Sequence, residues 1–232
     1  MYLAGEASEH GEGFVHQALI YGSDQEFMDV VLPFVEEGLS TKEPVLVAVD
    51  NHHLENLHGA LGGTPEGATF QPANSWYGTS AGTREKFARW TSERTAGGRR
   101  ARLIGEPPWA LGNAARVRDW ARHESVLNVA FASLPLSFIC PYDVRALPDE
   151  VLAHARGTHP QIVSAEGSSS SNSYVDPLEF CERLDATVEA QSLEPSLEIV
   201  FELADLPVVR RLIGSLALDT GLTSARTEEI VL

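Results

Sequence analysis

Short unbroken apolar runs recur along this chain, and stretches with helical spacing of apolar residues separate them. The first run, Ala18-Leu19-Ile20-Tyr21, reads as a buried strand. Ser23-Asp24-Gln25-Glu26 follows as a capping box, in which Ser and Glu each satisfy a free N–H of a first helical turn. The stripe Phe27, Val30, Val31, Phe34 and Val35 predicts the helix, Gly38-Leu39 its left-handed end, and Pro33 a kink within it. Pro44–Val49 reads as a strand covered on both faces, and Asp50 ends it. The pattern then predicts a helix over Leu54–Leu61, a short strand at Ala68–Phe70, a helix over Gly82–Thr95 and a strand at Ala101–Ile104. A long helix follows from Ala114 to Ala132, then a strand at Leu136–Cys140 and a helix over Leu147–Arg156.

Strands alternating with helices over Gly13–Val163 predict an α/β three-layer sandwich around a mostly parallel sheet. Residues 1–12 read as a disordered lead-in, and 13–163 as one domain. The Ser-rich tract beginning at Ser164 reads as a linker over 164–195, too polar to pack. Beyond it, Leu197–Leu203 alternates like a strand, Asp205 can cap a helix with Pro207 in its first turn, and a further helix begins near Ser224. One strand and these helices are too little for an independent core, so 196–232 reads as the opening of a second domain. The apolar face of its first helix points to self-association, as in a homodimer, or to docking.

Charge narrows the function classes. The formal net charge is −16, with 15 Arg and 2 Lys, which argues against a nucleic-acid or anionic-membrane surface. No apolar run reaches the ~18 residues that a membrane helix needs, and the N-terminus has no secretory pattern. The two cysteines, Cys140 and Cys181, are too few for a disulfide framework, which makes a reducing cytoplasm the default.

In an open parallel sheet, ligands bind beyond the carboxyl ends of the strands. Four such ends carry polar groups: Tyr21 with Ser23 and Asp24, Asp50, Glu106, and Tyr142 with Asp143. Together they would form an acidic edge that repels phosphate; taken singly, acids after strands serve as turn and N-cap residues. On the long helix, Val117, Trp120, Ala121, Glu124, Leu127, Asn128 and Phe131 share one face, which places a carboxylate inside an apolar stripe. Glu124 then needs a partner, with Arg102 and Arg145 as candidates, or a raised pKa. The Glu124–Asn128 pair is open to three roles: a structural network, a ligand-binding pair, or a catalytic acid or base. The spacing of His52, His53 and His58 does not specify a metal site, and nothing in the spacing of Cys140 and His159 demands that they converge. Cys140 itself reads as a small buried hydrophobe. Trp109, Trp120, Tyr21 and Tyr142 are either core or pocket lining. No cofactor or metal is called for.

The opening, strand-turn-helix then Glu43–Val49, resembles the start of a RecA/KaiC-like core, but the turn from Tyr21 to Met28 keeps only Gly22 and has no Lys. It reads as a degenerate RecA/KaiC-like domain without a P-loop, not an enzyme. Over Gly13–Pro160 the chain resembles the MEDS family, the methanogen/methylotroph, DcmR-like sensory domains. The resemblance rests on His16–Tyr21, Phe34–Leu39, Pro44–Asp50, Gly105–Trp109, Glu124–Asn128, Cys140–Asp143 and Thr158–Pro160. It implies a sensory module for a small molecule such as a hydrocarbon derivative. The positions taken as ligand-binding are Tyr21, Ser23, Glu106, Trp109, Glu124, Asn128, Cys140, Tyr142, Asp143 and His159. Ala204–Arg211 and Gly221-Leu222 are similar to the opening of a GHKL-type ATPase of anti-sigma-factor serine kinases and histidine kinases. That likeness implies an actinobacterial regulator of transcription whose partner is a sigma factor or its antagonist. Two rival expectations remain: a ligand-free module whose acidic surface docks a basic partner, and an enzyme with Glu124 or Glu106 as general base.

Overall fold

A computed structural model of the chain describes residues 13–95, 98–107, 114–186 and 199–231. The chain divides into two compact units, 1–188 and 189–232.

The first unit is built on a seven-stranded sheet. Its strands are β1 (Val15–Tyr21), β2 (Val45–Val49), β3 (Ala68–Pro72), β4 (Ala101–Gly105), β5 (Leu136–Asp143), β6 (Gln161–Ser164) and β7 (Gly167–Ser170). The order across the sheet is β3-β2-β4-β5-β1-β6-β7, parallel throughout except for the β6–β7 hairpin. From β1 the chain steps outward to β2 and β3, then turns back through β4 and β5 to reach β6 on the far side of β1. Right-handed crossovers therefore send α1 (Asp24–Ser40) and α2 (Asn51–Leu61) to one face. The same rule sends α4 (Ser80–Arg94), α5 (Ala114–Ala130) and α6 (Asp149–Thr158) to the other; a single turn, α3 (Ala73–Trp76), precedes α4. Two cores result. Phe27, Val31, Val35 and Leu57 pack against Val45, Val47, Ile104 and Ile139 on the first face. Phe87, Leu127, Phe131 and Val151 pack against Leu46, Leu103, Phe138 and Cys140 on the second. The three-layer α/β sandwich is thus as expected.

Local departures have physical causes. Helix α1 runs through Gly38 to Ser40, and Lys42, not Gly38, takes the positive φ of 60°. Gly38 is required inside the helix for another reason: a Cβ there would lie 2.8 Å from both the Arg102 Cδ and the Val45 Cγ2. Helix α1 continues through Pro33, which sits on its exposed face. The segment expected to be a linker from Ser164 is structured as far as Ala186. Its serines form the edge hairpin, in which the Gln17 side chain donates to Gln161 (3.0 Å) and to the Ser168 hydroxyl (2.8 Å). A further helix, α7 (Pro177–Ala186), buries Phe180 and Leu184 against Ala121 of α5, and Arg122 pairs with Asp185. Polar serines suit an exposed edge whose hydroxyls bond neighbouring strands, a use that composition alone does not reveal.

In the second unit, a 3-10 turn (Leu203–Asp205) leads into α8 (Leu206–Asp219) and α9 (Ser224–Val231). Asp205 stands at the N-cap of α8 but makes no side-chain cap bond there; its carboxylate turns back instead and accepts from the Glu202 N–H at 3.1 Å, which closes the capping box of the 3-10 turn. The strand expected over Leu197–Leu203 is not formed at 199–203; residues 197 and 198 lie outside the described residues. Among the described residues, Val200, Leu203, Val208 and Leu218 of this unit are exposed.

Candidate functional site

The helices that follow neighbouring strands lie on opposite faces between β1 and β5, between β2 and β4 and between β2 and β3, and a crevice opens there beyond the carboxyl ends of the strands. A cleft of about 340 Å³ occupies it. Its apolar wall comes from Ala73, Pro107, Pro141, Ala146 and Leu147, and its polar groups are Tyr21, Asp50, Asn51, Asn74, Glu106 and Asp143.

Glu106 organises this edge. One carboxylate oxygen accepts from the Tyr21 hydroxyl at 2.8 Å. The other faces the His53 Nδ1 at 3.0 Å and accepts from the Asp50 N–H at 3.2 Å. The His53 ring lies flat on Phe27, with centroids 3.8 Å apart, while Asp50 caps α2 by accepting from the His53 N–H at 2.7 Å. Burial alone would lower the His53 pKa, but Glu106, with Asp50 and Asp24 behind it, overrides that and raises it. Burial and the Glu106 carboxylate push the Tyr21 phenol far up, so it stays a hydrogen-bond donor. Arg145 bridges Asp143 (2.8 Å) and Asp24 (2.8 Å), and His52 reaches Asp24 at 2.8 Å. Arg145 first, then His52, hold the Asp24 carboxyl down at about 2. The expected row of acids is therefore present but largely neutralised by its own basic neighbours.

Ser23 has no part in the cleft: its hydroxyl caps α1 by accepting from the Glu26 N–H at 3.2 Å. The Glu26 carboxylate in turn accepts from the Gly22 N–H at 2.7 Å. In a P-loop, backbone N–H groups of this turn would meet a phosphate; here a side chain of the same turn takes one of them. Trp109 lies outside the described residues.

The remaining candidates gather at a different place, between the sheet and the α5–α6 layer. The period of two along β5 sends Cys140 and Tyr142 to that face and Pro141 and Asp143 to the cleft. Glu124 of α5 sits there at 2 % exposure. One of its oxygens accepts from the Trp120 indole N–H at 2.9 Å. The other lies 3.3 Å from the His16 Nε2, 3.5 Å from the His159 Nε2 and 3.6 Å from the Cys140 sulfur. The expected arginine partners are elsewhere. Arg102 is on the opposite face, bound to Glu43 (2.5 Å) and Glu37 (2.9 Å), and Arg145 is at the cleft.

The surroundings determine the tautomers of the two histidines. The Asn128 amide N–H group donates to the Thr158 carbonyl at 2.7 Å, so its oxygen faces the His16 Nδ1 at 3.1 Å. That nitrogen must carry the proton. The His159 Nδ1 faces the Ala155 carbonyl at 2.8 Å and must carry one too. Both Nε2 atoms therefore present lone pairs toward the Glu124 oxygen. Burial pushes both imidazoles down to about 3 and the Cys140 thiol and Tyr142 phenol well up. The Tyr142 ring packs edge-on against His159, centroids 5.6 Å apart. The structure thus brings Glu124, Asn128, Cys140, Tyr142 and His159 together, but not with Tyr21, Glu106 and Asp143. His16, His53 and Arg145 were not singled out from the sequence as site residues. Strand parity carried the signal for His16, which pairs with Phe138 and so faces the same side as Cys140.

Neither the curated proteins nor the solved structures offer a match to the chain. A family model does match it, over residues 15–160, the span from β1 to the turn after α6 that builds both the cleft and the buried cluster. The chain belongs to the MEDS family, the methanogen/methylotroph, DcmR sensory domain.

Proposed function

We propose that this sensory domain detects a small organic effector in the carboxyl-edge cleft. The observation that carries this reading is the cleft itself, about 340 Å³, with an apolar wall and a few convergent polar groups, at a topological switch point. Its chemistry suits a small molecule with an apolar body and a hydroxyl, carbonyl or amine head. Tyr21, Asp50 and Glu106 can bond such a head. The Glu26 carboxylate on the Gly22 N–H supports the same view, since it stands where a nucleotide would need a donor. The domain acts in this reading as a detector and not as an ATPase.

The likeness of 204–222 to the start of a GHKL-type ATPase suggests the output: effector binding biases an attached kinase-type domain, and through it a sigma factor or its antagonist. A coupling of a few kcal/mol suffices for such control. The exposed Val200, Leu203, Val208 and Leu218 favour an association role for the second unit, with a partner or a second copy.

A thermal-shift screen of small alcohols, ketones, amines and halogenated hydrocarbons tests the cleft. A ligand at ~100 times its Kd adds about 2.7 kcal/mol, a shift of several degrees. The shift should vanish in Glu106→Ala and Asp143→Leu. If no compound stabilises the protein, or if one does so equally in both variants, the cleft is not the sensor site.

A further inference from the structure

The geometry points to a closed, tetrahedral binding site for a zinc-type divalent transition metal, formed by His16, Glu124, Cys140 and His159. These residues come from β1, α5, β5 and the turn after α6, and each is 2 % exposed or less. Their ligating atoms all lie within 4.8 Å of one another.

Three observations carry the inference. The first is donor spacing. Tetrahedral zinc with nitrogen and oxygen at ~2.0–2.1 Å and sulfur at ~2.3 Å sets donors about 3.3 Å apart, or about 3.6 Å where sulfur is one of the pair. The Glu124 oxygen lies 3.3 Å and 3.5 Å from the two imidazole nitrogens and 3.6 Å from the Cys140 sulfur. The Cys140 sulfur lies 3.5 Å from the His16 Nε2.

The second is lone-pair orientation. With Asn128 and the Ala155 carbonyl holding both Nδ1 protons, two bare Nε2 atoms and a carboxylate oxygen converge. Acceptors facing acceptors in a dry interior repel one another unless a proton or a cation lies between them; the Cys140 thiol can reach the Glu124 oxygen as a weak donor, but it leaves the His159 Nε2 unserved. The His159 Nε2, fully buried, has no hydrogen-bond partner of its own.

The third is the supporting shell. Both histidines donate their far N–H to a fixed acceptor, and the Glu124 oxygen that faces away is held by Trp120. Metal-ligating histidines and carboxylates are oriented in this way.

The donor set of two imidazoles, one carboxylate and one thiolate suits a borderline-soft ion rather than magnesium or calcium. It also balances charge: carboxylate and thiolate offset a dication, and binding releases the thiol proton to solvent. Four protein ligands leave no open position, so the ion ties α5 to the sheet and does no hydrolysis. Because the site is buried, the ion enters as the chain folds.

The test is cobalt(II) loading of the full chain by refolding, read by absorption, with metal content of the zinc-refolded protein measured in parallel. One equivalent per chain and a thiolate-to-cobalt charge-transfer band are expected. The chain has only two cysteines, so Cys181→Ser should keep the band if Cys140 is the ligand. Cys140→Ser and His16→Gln should lose it, and Asn128→Leu should weaken the affinity ~10–100-fold. The Cys181→Ser arm decides the matter even if the buried variants fail to fold. A protein that refolds without metal overturns the proposal. So does cobalt bound without the band, or a band lost in Cys181→Ser, since binding then lies at surface histidines or at Cys181.

Discussion

Replacing Glu106 by Gln isolates the charge that organises the cleft. The carboxylate accepts from the Tyr21 hydroxyl, from His53 and from the Asp50 N–H, at 2.8, 3.0 and 3.2 Å. A glutamine retains the shape. Its amide oxygen can serve His53 and Asp50 while its N–H group turns to Tyr21, so what disappears is the charge assistance to all three, of which only the part at His53 depends on pH. A hydrogen bond to a charged group contributes about 1.5–3 kcal/mol, against ~1 for a neutral one, so the expected loss is about 1–2 kcal/mol. For a chain of this size that is ~2–8 °C. The loss should depend on pH in a defined direction. The folded-state pKa of His53 is raised above 6.5, because the acids around it outweigh its burial. A group shifted in this direction contributes stability that is fully present below its unfolded pKa and disappears as pH rises through its folded one. Urea titrations of both proteins from about pH 5.5 to 9 should therefore show a gap that is widest on the acid side and narrows on the alkaline side to the part due to Tyr21 and Asp50. A gap that is constant, or that opens above neutrality, would show that His53 is not held protonated by this carboxylate.

Three further outcomes follow from single contacts. Gly105→Ala should cost about 1–3 kcal/mol, because its Cβ would meet the Tyr77 hydroxyl and lie 2.8 Å from the Phe138 ring; pairing it with Tyr77→Phe should recover part of that in urea melts. Arg102→Met should cost about 3–5 kcal/mol by stranding the Glu43 carboxylate that its guanidinium meets at 2.5 Å, and Glu43→Gln in the same chain should restore much of it by calorimetry. Ser23→Ala should cost ~1 kcal/mol through loss of the α1 cap, and leave untouched any effector affinity measured by titration calorimetry.

How far the sequence was legible depended on how local each signal was. The βα alternation is written in runs of four or five residues, so β1, β2, β4 and β5 are readable, as is the cap of α1 by Ser23. The hairpin of β6 and β7 was not, because Ser168–Ser170 makes its bonds to Gln17 and Gln161, far upstream or across a turn. Gly38 misled for a related reason: its small size serves Arg102 on another strand, and not the end of its own helix. The helical stripe places Glu124 in the core, as the structure does, but points to no partner, and arginines are the usual counter-ions. The groups that meet it are imidazoles and a thiol, whose positions depend on which strands are neighbours. That order, β5 beside β1 and β1 beside β6, cannot be read from periodicity.

Strand parity then separates what looked like one site into two. Along β5, Cys140 and Tyr142 enter the layer of α5 and α6, while Pro141 and Asp143 line the cleft. Along β1, His16 belongs to the first group and Tyr21 to the second. The two groups also differ in what they can do. The cleft is open and its acids are paired, which suits reversible binding of an effector. The cluster is closed, with every far hydrogen bond of its histidines and carboxylate already assigned, which suits something held throughout the life of the fold. A detector needs both properties, since a binding event biases an output only if the element that carries it does not yield on its own. β5 is the element that would serve here: each of its residues that lines the cleft is followed or preceded by one anchored in the interior.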